Sequence, residues 1–345
     1  MKHRRDLVTQ WFPDLPAYRL RQIDAALFCD SYASWGDVTT LPQTLRGVLS
    51  ERLPWMTIDQ IQIYESKAGD TYKAVVKGVD DKKFETVLMQ NRSGQWSICV
   101  SSQVGCAMGC TFCATGAMGW KRNLLADEIV DQYRFWKQFL KRKKFEEKRI
   151  SNVVFMGMGE PMANYAHVKA AIHTWLAHTD LGPTKITVSS VGVLPQLRRL
   201  LDDPEWPPVK IAISLHIADQ KKREEIVPTT APGFLEKLAA WSHDYHRKLG
   251  NRNHHITYEY TLITGVNDTP EFAHELGRYM KRTAFSKVNV IPYNPVRGKD
   301  YKRSDTDRRE QFKNIVRSYG THVTERKTMG EDIDAACGQL ATTIV

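Results

Sequence analysis

Residues 106–113 read Cys106-Ala107-Met108-Gly109-Cys110-Thr111-Phe112-Cys113, so three of the six cysteines in this 345-residue chain fall within one short stretch. Three thiolates at this spacing can each bind one iron of a four-iron cube, and Gly105, Gly109 and Gly116 let the backbone wrap around it. The fourth iron then has no protein ligand and can bind a substrate. The competing explanations are chance and a structural zinc ion, but such an ion needs four ligands and the chain has no second C-x2-C. We therefore predict an iron–sulfur cluster bound by Cys106, Cys110 and Cys113.

The cysteine stretch follows the first of several predicted strands that alternate with predicted helices. The strands are expected at Trp96–Ser101, Asn152–Met156, Lys185–Ser189, Val209–Leu215, Ile256–Ile263 and Lys287–Ile291. The helices are expected between or after them, at 124–140, 164–177, 193–201, 234–249, 270–282 and 305–319. Repeated strand–helix units predict an α/β fold with a parallel sheet and right-handed crossovers. Periodicity alone does not distinguish an open sheet from a partial barrel.

The residues before this alternating region follow other patterns. Apolar residues recur at helical spacing over Pro16–Cys29 and Leu41–Leu53, whereas the period becomes two over Ile58–Tyr64, Tyr72–Val79 and Phe84–Met89. We therefore expect a small, largely helical accessory domain followed by strands that link it to the core.

The bulk composition limits the class of protein. Lys and Arg number 49 against 39 Asp and Glu, which gives a formal net charge of +10 and suits a polyanionic partner such as nucleic acid. The charged start lacks a signal peptide, and the chain has no apolar run of about 18 residues. We expect a cytoplasmic protein with no membrane association, where clustered cysteines typically bind metal or perform chemistry.

The pattern C-x3-C-x2-C, with an aromatic residue before the last cysteine, resembles the signature of radical S-adenosylmethionine (SAM) enzymes. The resemblance implies a 4Fe–4S cluster whose open iron binds SAM, a partial (β/α)6 TIM-like barrel, and reductive cleavage to a 5′-deoxyadenosyl radical. Segments similar to the family's SAM-binding motifs follow predicted strands, where such folds place their sites. They supply Gly159, Glu160, Ser189, Ser214, Leu215, His216 and Asn294 as implied SAM-binding residues. Taken singly, each also has a structural explanation as an ordinary turn or a hydrogen-bonded histidine.

Two further cysteines narrow the resemblance. Cys99 stands in CVSSQVGC at 99–106, and Cys337 stands in DIDAACGQL at 332–340. Although a lone cysteine is usually a small buried apolar residue, both segments resemble the RlmN/Cfr family of RNA adenine methyltransferases. The similarity covers nearly the whole chain. It implies an RNA-binding accessory domain at 1–55, a connecting β segment at 56–91, a radical SAM core at 92–325 and a C-terminal segment at 326–345.

The resemblance also implies a mechanism that uses two SAM molecules per turnover. Cys337 takes a methyl group from one SAM, and the radical from the second removes hydrogen from that S-methyl group. The methylene carbon then adds to an adenine ring carbon, and attack by Cys99 on the Cys337 sulfur releases the RNA and leaves a disulfide. Glu85 is the implied proton acceptor, with an exposed strand glutamate as the alternative interpretation.

The resemblance names the partners as 23S rRNA, tRNA and a reductase or flavodoxin-type electron donor, and we expect a monomer. Pro161 after Glu160 and the stretch 326–328 favour methylation at C2 of adenine. The alternatives are a C8-type enzyme that confers antibiotic resistance, a cluster-bearing RNA-binding protein without methyl transfer, and a radical SAM enzyme acting on a small molecule or peptide.

Overall fold

The computed structural model describes residues 3–145, 147–250 and 254–342. The helices are α1 Arg4–Trp11, α2 Ala17–Ala26, α3 Gln43–Arg52, α4 Ala114–Ala117, α5 Ala126–Lys143, α6 Tyr165–His178, α7 Leu194–Asp202, α8 Gln220–Ile226, α9 Phe234–Leu249, α10 Pro270–Met280 and α11 Thr306–Ser318. The strands are β1 Asp59–Glu65, β2 Thr71–Lys77, β3 Lys83–Gln90, β4 Trp96–Cys99, β5 Gln103–Gly105, β6 Trp120–Asn123, β7 Ile150–Phe155, β8 Ile186–Ser190, β9 Lys210–Ser214, β10 Ile256–Leu262, β11 Ser286–Pro292 and β12 His322–Glu325.

A single ten-stranded sheet organises the core, in the order β1-β2-β3-β4-β7-β8-β9-β10-β11-β12. Neighbours from β4 to β12 are parallel, so the six predicted strands are confirmed and β12 adds a seventh. Within the described residues no pairing joins β1 to β12, and the sheet is an open partial barrel of the α/β class. The predicted connecting strands β1–β3 extend this same sheet as antiparallel neighbours of β4.

Helices cover the outer face of the parallel strands. The longest, α5, buries Ile129, Val130, Tyr133 and Trp136 completely or nearly so in the main hydrophobic core. Strand β9 likewise buries all three of its central residues, 211–213, as expected for a parallel strand that is covered on both faces. No helix in the described ranges combines the length and apolarity needed to cross a membrane.

The N-terminal helices α1–α3 form a second hydrophobic core, which includes Val8, Trp35 and Leu49. A buried ion-pair group fixes α1 to the barrel helix α5. The Asp131 carboxylate accepts hydrogen bonds from Arg4 and from Arg134, each at 2.5 Å. Burial acts to raise the pKa of Asp131, but the two guanidinium groups hold it below its ordinary value.

Replacing Asp131 with asparagine should lower the free energy of unfolding by about 3–5 kcal/mol, because two buried guanidinium groups lose their counter-charge. The pKa of Asp131 is lower in the folded protein than in the unfolded chain. Its contribution to the free energy of unfolding is therefore complete above the unfolded pKa of about 3.9, and it is lost as the pH falls through the pKa of the folded state. Urea unfolding measures the change. Asp81→Asn is the control: its side chain is 83% exposed beside Lys77, and its loss should leave the unfolding midpoint unchanged.

Candidate active site

The cysteine stretch 106–113 forms a tight loop between β5 and α4. The Cys113 N–H donates to the Cys110 carbonyl at 3.1 Å, and the Cys106 N–H donates to the Gly119 carbonyl at 3.1 Å. Gly116 lies so close to this loop that a Cβ there would be 2.9 Å from the Cys110 carbonyl oxygen. The backbone is therefore wrapped at a spacing that only glycine permits.

All three cysteines of the loop line one cavity of about 910 Å³, called here the cluster cavity. Among the described residues no three His, Cys, Asp or Glu side chains are grouped so that they could hold a single metal ion. Three thiols on one cavity wall, held by a glycine-dependent loop, fit a cube in which each thiolate binds a different iron.

Gly116→Ala should prevent stable cluster binding, because the added methyl group forces the Cys110 backbone away from its position. Iron and sulfide analysis of the anaerobically purified variant measures the effect, and we expect roughly a tenfold or greater loss of bound iron. The matched control is Gly47→Ala on α3, where a Cβ meets no atom within 4 Å. Full cluster content in Gly116→Ala would contradict this account of the loop.

The other walls of the cluster cavity come from the C-terminal ends of the parallel strands, where barrel folds place their sites. Glu160 follows β7 and is 3% exposed. Its two carboxylate oxygens accept the N–H groups of Met162 and Val191, each at 2.9 Å. Burial raises the pKa of Glu160, so a bound ammonium group would favour its ionised form. This carboxylate suits the amino group of SAM.

The backbone beside Glu160 also requires glycine. Gly159 has a φ of +96°, and a Cβ there would lie 2.4 Å from the Cβ of Gln103. The Gln103 side chain in turn accepts the Glu160 N–H at 2.8 Å. This close packing fixes where the carboxylate enters the cavity.

His216 also lines the cluster cavity, just after β9, with a left-handed φ of +61°. Burial, with a smaller effect of Arg223, lowers the pKa of His216 to about 3. Its Nδ1 accepts the Thr261 N–H at 3.2 Å, so the single proton of the neutral ring is on Nε2. At neutral pH His216 is therefore an uncharged hydrogen-bond donor. Ser189 and Ser214 line the same cavity with hydroxyl oxygens 3.5 Å apart.

A second cavity of about 1210 Å³ is lined by Cys99, Lys185 and Lys210, and is called here the lysine cavity. Cys337 lines both cavities. The Arg326 guanidinium also lines both and donates to the Cys337 Sγ at 3.5 Å. Burial, and then the neighbouring Cys337, raises the pKa of Cys99 to about 12. Cys337 is thus placed between the cluster loop and a second cavity, which Cys99 also lines.

The segment that carries Cys337 is attached to the start of α4, directly after the cysteine loop, and to a residue just after β11. The Gly338 carbonyl accepts the Ala114 N–H at 2.8 Å, and the Leu340 carbonyl accepts the Thr115 hydroxyl at 2.6 Å. The Asn294 side-chain amide donates to the Cys337 carbonyl at 3.0 Å. The position of Cys337 relative to the three cluster cysteines is therefore fixed by backbone contacts.

Most of the residues predicted from the sequence meet at the cluster cavity: Cys106, Cys110, Cys113, Gly159, Glu160, Ser189, Ser214, His216 and Cys337. Four others lie elsewhere. Leu215 has a fully buried side chain in the core, and Cys99 and Asn294 line the lysine cavity. Glu85 lines a separate pocket, with its carboxylate 3.4 Å from the Lys73 ammonium and bonded to the Ala341 N–H at 3.1 Å.

Two charged residues at this site were not among the predicted site residues. Arg326 contacts the Cys337 sulfur, as described above. Glu259, 4% exposed on β10, lines the cluster cavity and accepts a hydrogen bond from Asn289 at 2.9 Å. A glutamate inside the otherwise uncharged stretch 256–262 is the sequence signal that could have identified it, because a buried strand rarely contains a charged residue.

The partial barrel, the three-cysteine loop and the buried Glu160 together define a protein of the radical SAM class. In agreement, residues 100–276 match the radical SAM superfamily, and membership of it implies a 4Fe–4S cluster and SAM. Ribosomal RNA large subunit methyltransferase N of Nitrosopumilus maritimus (strain SCM1) is 39% identical, covering 95% of this chain and 93% of that protein. Probable dual-specificity RNA methyltransferase RlmN of Aquifex aeolicus (strain VF5) is 38% identical, covering 95% and 92%.

A solved structure gives the same relationship. The crystal structure of a radical SAM methyltransferase from Sphaerobacter thermophilus aligns with a TM-score of 0.88 at 36% identity, covering 97% of this chain and 96% of that one. The chain belongs to the RlmN family of radical SAM methyltransferases.

Proposed function

We propose that this protein methylates C2 of an adenosine in 23S rRNA, and of an adenosine beside the tRNA anticodon, through an S-methylcysteine on Cys337. The observation that carries the proposal is the position of Cys337, which lines both the cluster cavity and the lysine cavity. A methyl carrier in this reaction must reach the radical source and the RNA base in turn. The printed names of the similar proteins, which include ribosomal RNA and dual-specificity RNA methyltransferases, support RNA as the substrate.

The chemistry of adenine explains the need for a carrier. C2 is an electron-poor amidine carbon, so it cannot attack the methyl group of SAM directly. When bound, the cluster and SAM supply a 5′-deoxyadenosyl radical. Cys337 first accepts a methyl group from another SAM as a thiolate nucleophile. Its S-methyl group then gives up a hydrogen atom, and the remaining methylene carbon bonds to C2.

Release of the product requires a second thiol. The ring must first lose its C2 proton and one electron, which the oxidised cluster would accept. The Cys99 thiol then gives up its proton and bonds to the Cys337 sulfur, and the bond between that sulfur and the methylene carbon breaks. The electron pair of the broken bond stays with the carbon, which takes a proton and becomes the methyl group of the product. A Cys99–Cys337 disulfide remains, and an external reductant of the flavodoxin or reductase type reduces it to the two thiols. Glu85 remains the proposed acceptor of the C2 proton, and its carboxylate must first leave Lys73 and Ala341.

Nucleoside mass spectrometry with chromatographic standards tests the proposal. Anaerobically reconstituted enzyme is incubated with SAM, a reductant and either 23S rRNA fragments or tRNA. We expect 2-methyladenosine. An 8-methyladenosine peak would assign the chain to C8 methylation, whereas no methyladenosine from an enzyme that cleaves SAM would overturn the assignment of RNA as substrate.

A further inference from the structure

The two cavities lie at opposite ends of the parallel strands. The cluster cavity is lined from the C-terminal ends, by residues such as Ser189 on β8 and Ser214 on β9. The lysine cavity is lined from the N-terminal ends of the same strands, by Thr187 on β8 and Lys210 on β9, which are paired in register. Cys337 is common to both cavities. The two cavities together therefore extend through the partial barrel from the cluster loop to the N-terminal ends of the strands. The opening at that end of the lysine cavity is called here the mouth.

The charges that line the lysine cavity all have one sign. Lys185, Lys210, Arg326 and Lys327 line it, and none of the described lining residues is an aspartate or glutamate. Arg326 lies deep, against Cys337, and Lys327 is 3.8 Å from Asp70. Within the part of the chain that the structure describes, no ion pair or side-chain hydrogen bond involves the ammonium group of Lys185 or Lys210.

These two lysines lie at the starts of neighbouring strands, because Lys185 directly precedes β8 and Lys210 is the first residue of β9. Burial, and then the proximity of Lys287 and Lys185, lowers the pKa of Lys210 below its ordinary value. Like charges brought together without a counter-charge destabilise each other, and a bound anion relieves that repulsion.

We propose that the lysine cavity admits the target adenosine from the mouth remote from the cluster, and that Lys185 and Lys210 bind RNA backbone phosphates there. The inference rests on the proposed function, because it assigns a role in RNA binding to a cavity that contains Cys99. Lysine suits a phosphate as a compact cationic donor. An unstacked adenine that enters between the lysines can reach Cys337 from the lysine cavity. The radical is formed in the cluster cavity, which the same cysteine lines.

The polar lining between the mouth and the cysteines fits a base. Asn152, Ser97 and Thr187 line this part of the cavity, and the Asn152 amide is 3.3 Å from the Ser97 hydroxyl. These groups can exchange hydrogen bonds with the edge of a nucleobase, whereas phosphates require the charges at the rim. RNA bases must be unstacked for such chemistry, so the ligand class is a loop or bulge of RNA rather than a duplex.

The test compares holoenzyme variants in their binding of a fluorescent RNA hairpin that has one unpaired loop adenosine. Fluorescence anisotropy gives Kd over a series of KCl concentrations. Lys185→Gln/Lys210→Gln should weaken binding about tenfold at physiological salt and should reduce the salt slope by roughly 1.4, about 0.7 for each lost phosphate contact. Lys221→Gln/Lys222→Gln is the charge-matched control, because both lysines are exposed on α8, beyond the opposite end of β9.

A measurement on the wild-type enzyme avoids any effect of the variants on folding. Lysine acylation followed by peptide mass spectrometry should show that RNA protects Lys185 and Lys210 and leaves Lys221 reactive. Unchanged Kd and salt slope in the double variant, or protection of Lys221 alone, would overturn the inference.

The same samples separate this inference from the proposed function. If the wild type forms methyladenosine and the double variant binds RNA as tightly as the wild type, the lysine site is wrong and the function stands. If the lysines are protected and the wild type forms no methyladenosine from any RNA, the site stands and the function is wrong.

Discussion

Cys337→Ala should retain the iron–sulfur cluster and transfer no methyl group to RNA. The three proposed cluster ligands lie in the loop 106–113, and alanine keeps the backbone carbonyl that accepts the Asn294 amide. The only group removed is the sulfur that is proposed to carry the methyl group. We expect activity to fall by roughly a thousandfold or more, to the background of the assay. Iron analysis and quantification of methyladenosine on the same sample measure both properties.

Cys29→Ala provides the matched control for this experiment. Cys29 is a free, partly buried cysteine of the N-terminal helical region and lines neither the cluster cavity nor the lysine cavity. Its replacement should leave turnover unchanged. Normal turnover by Cys337→Ala would rule out Cys337 as the methyl carrier, whatever the cluster content.

Cys99→Ala is expected to give the opposite phenotype, an enzyme that reacts once and stays covalently joined to its RNA. Cys99 lines the lysine cavity together with Cys337 and is not one of the proposed cluster ligands. The steps up to carbon–carbon bond formation therefore remain possible in the variant. Without the second thiol the bond from the Cys337 sulfur to the methylene carbon is not broken. A denaturing gel should show a slower band that contains both protein and labelled RNA, in an amount that approaches one RNA per active enzyme.

The double variant Cys99→Ala/Cys337→Ala makes this result specific. It should form no slower band, because the carrier and the resolving thiol are both missing. Absence of the band from the single Cys99→Ala variant, with its cluster intact, would remove Cys99 from the release step. A band that persists in the double variant would show that another residue forms the link to RNA.

The parallel strands could be predicted from the sequence because buried strands are short, continuous apolar runs. Strand β9 shows this in its residues 211–213. Strand β12 was missed because only Val323 of its four residues is buried. Its conformation depends on pairing with β11, in which Val323 lies opposite Val288. The hairpin of β5 and β6 was missed because β5 is only three residues long and lies directly before the cysteine loop.

More of the cluster cavity than of the lysine cavity could be predicted from the sequence. Strand ends and glycine-rich turns place Glu160 and His216 at one rim, and these signals are local in the sequence. The surroundings of Asn294 are not local, because its amide is held by a residue 43 positions away in the C-terminal segment. The same holds for Arg326, whose guanidinium contacts the sulfur of Met156, 170 positions away at the end of β7.

The C-terminal segment follows every strand of the sheet in chain order, and Cys337 lies within it. During translation the cysteine loop 106–113 is therefore made more than half a chain before Cys337. A nascent chain can fold much of its barrel and supply the proposed cluster ligands before the proposed methyl carrier has been made. By the proposed route, the chain therefore cannot transfer a methyl group until Cys337 has been made and its segment has formed its contacts with Ala114 and Thr115.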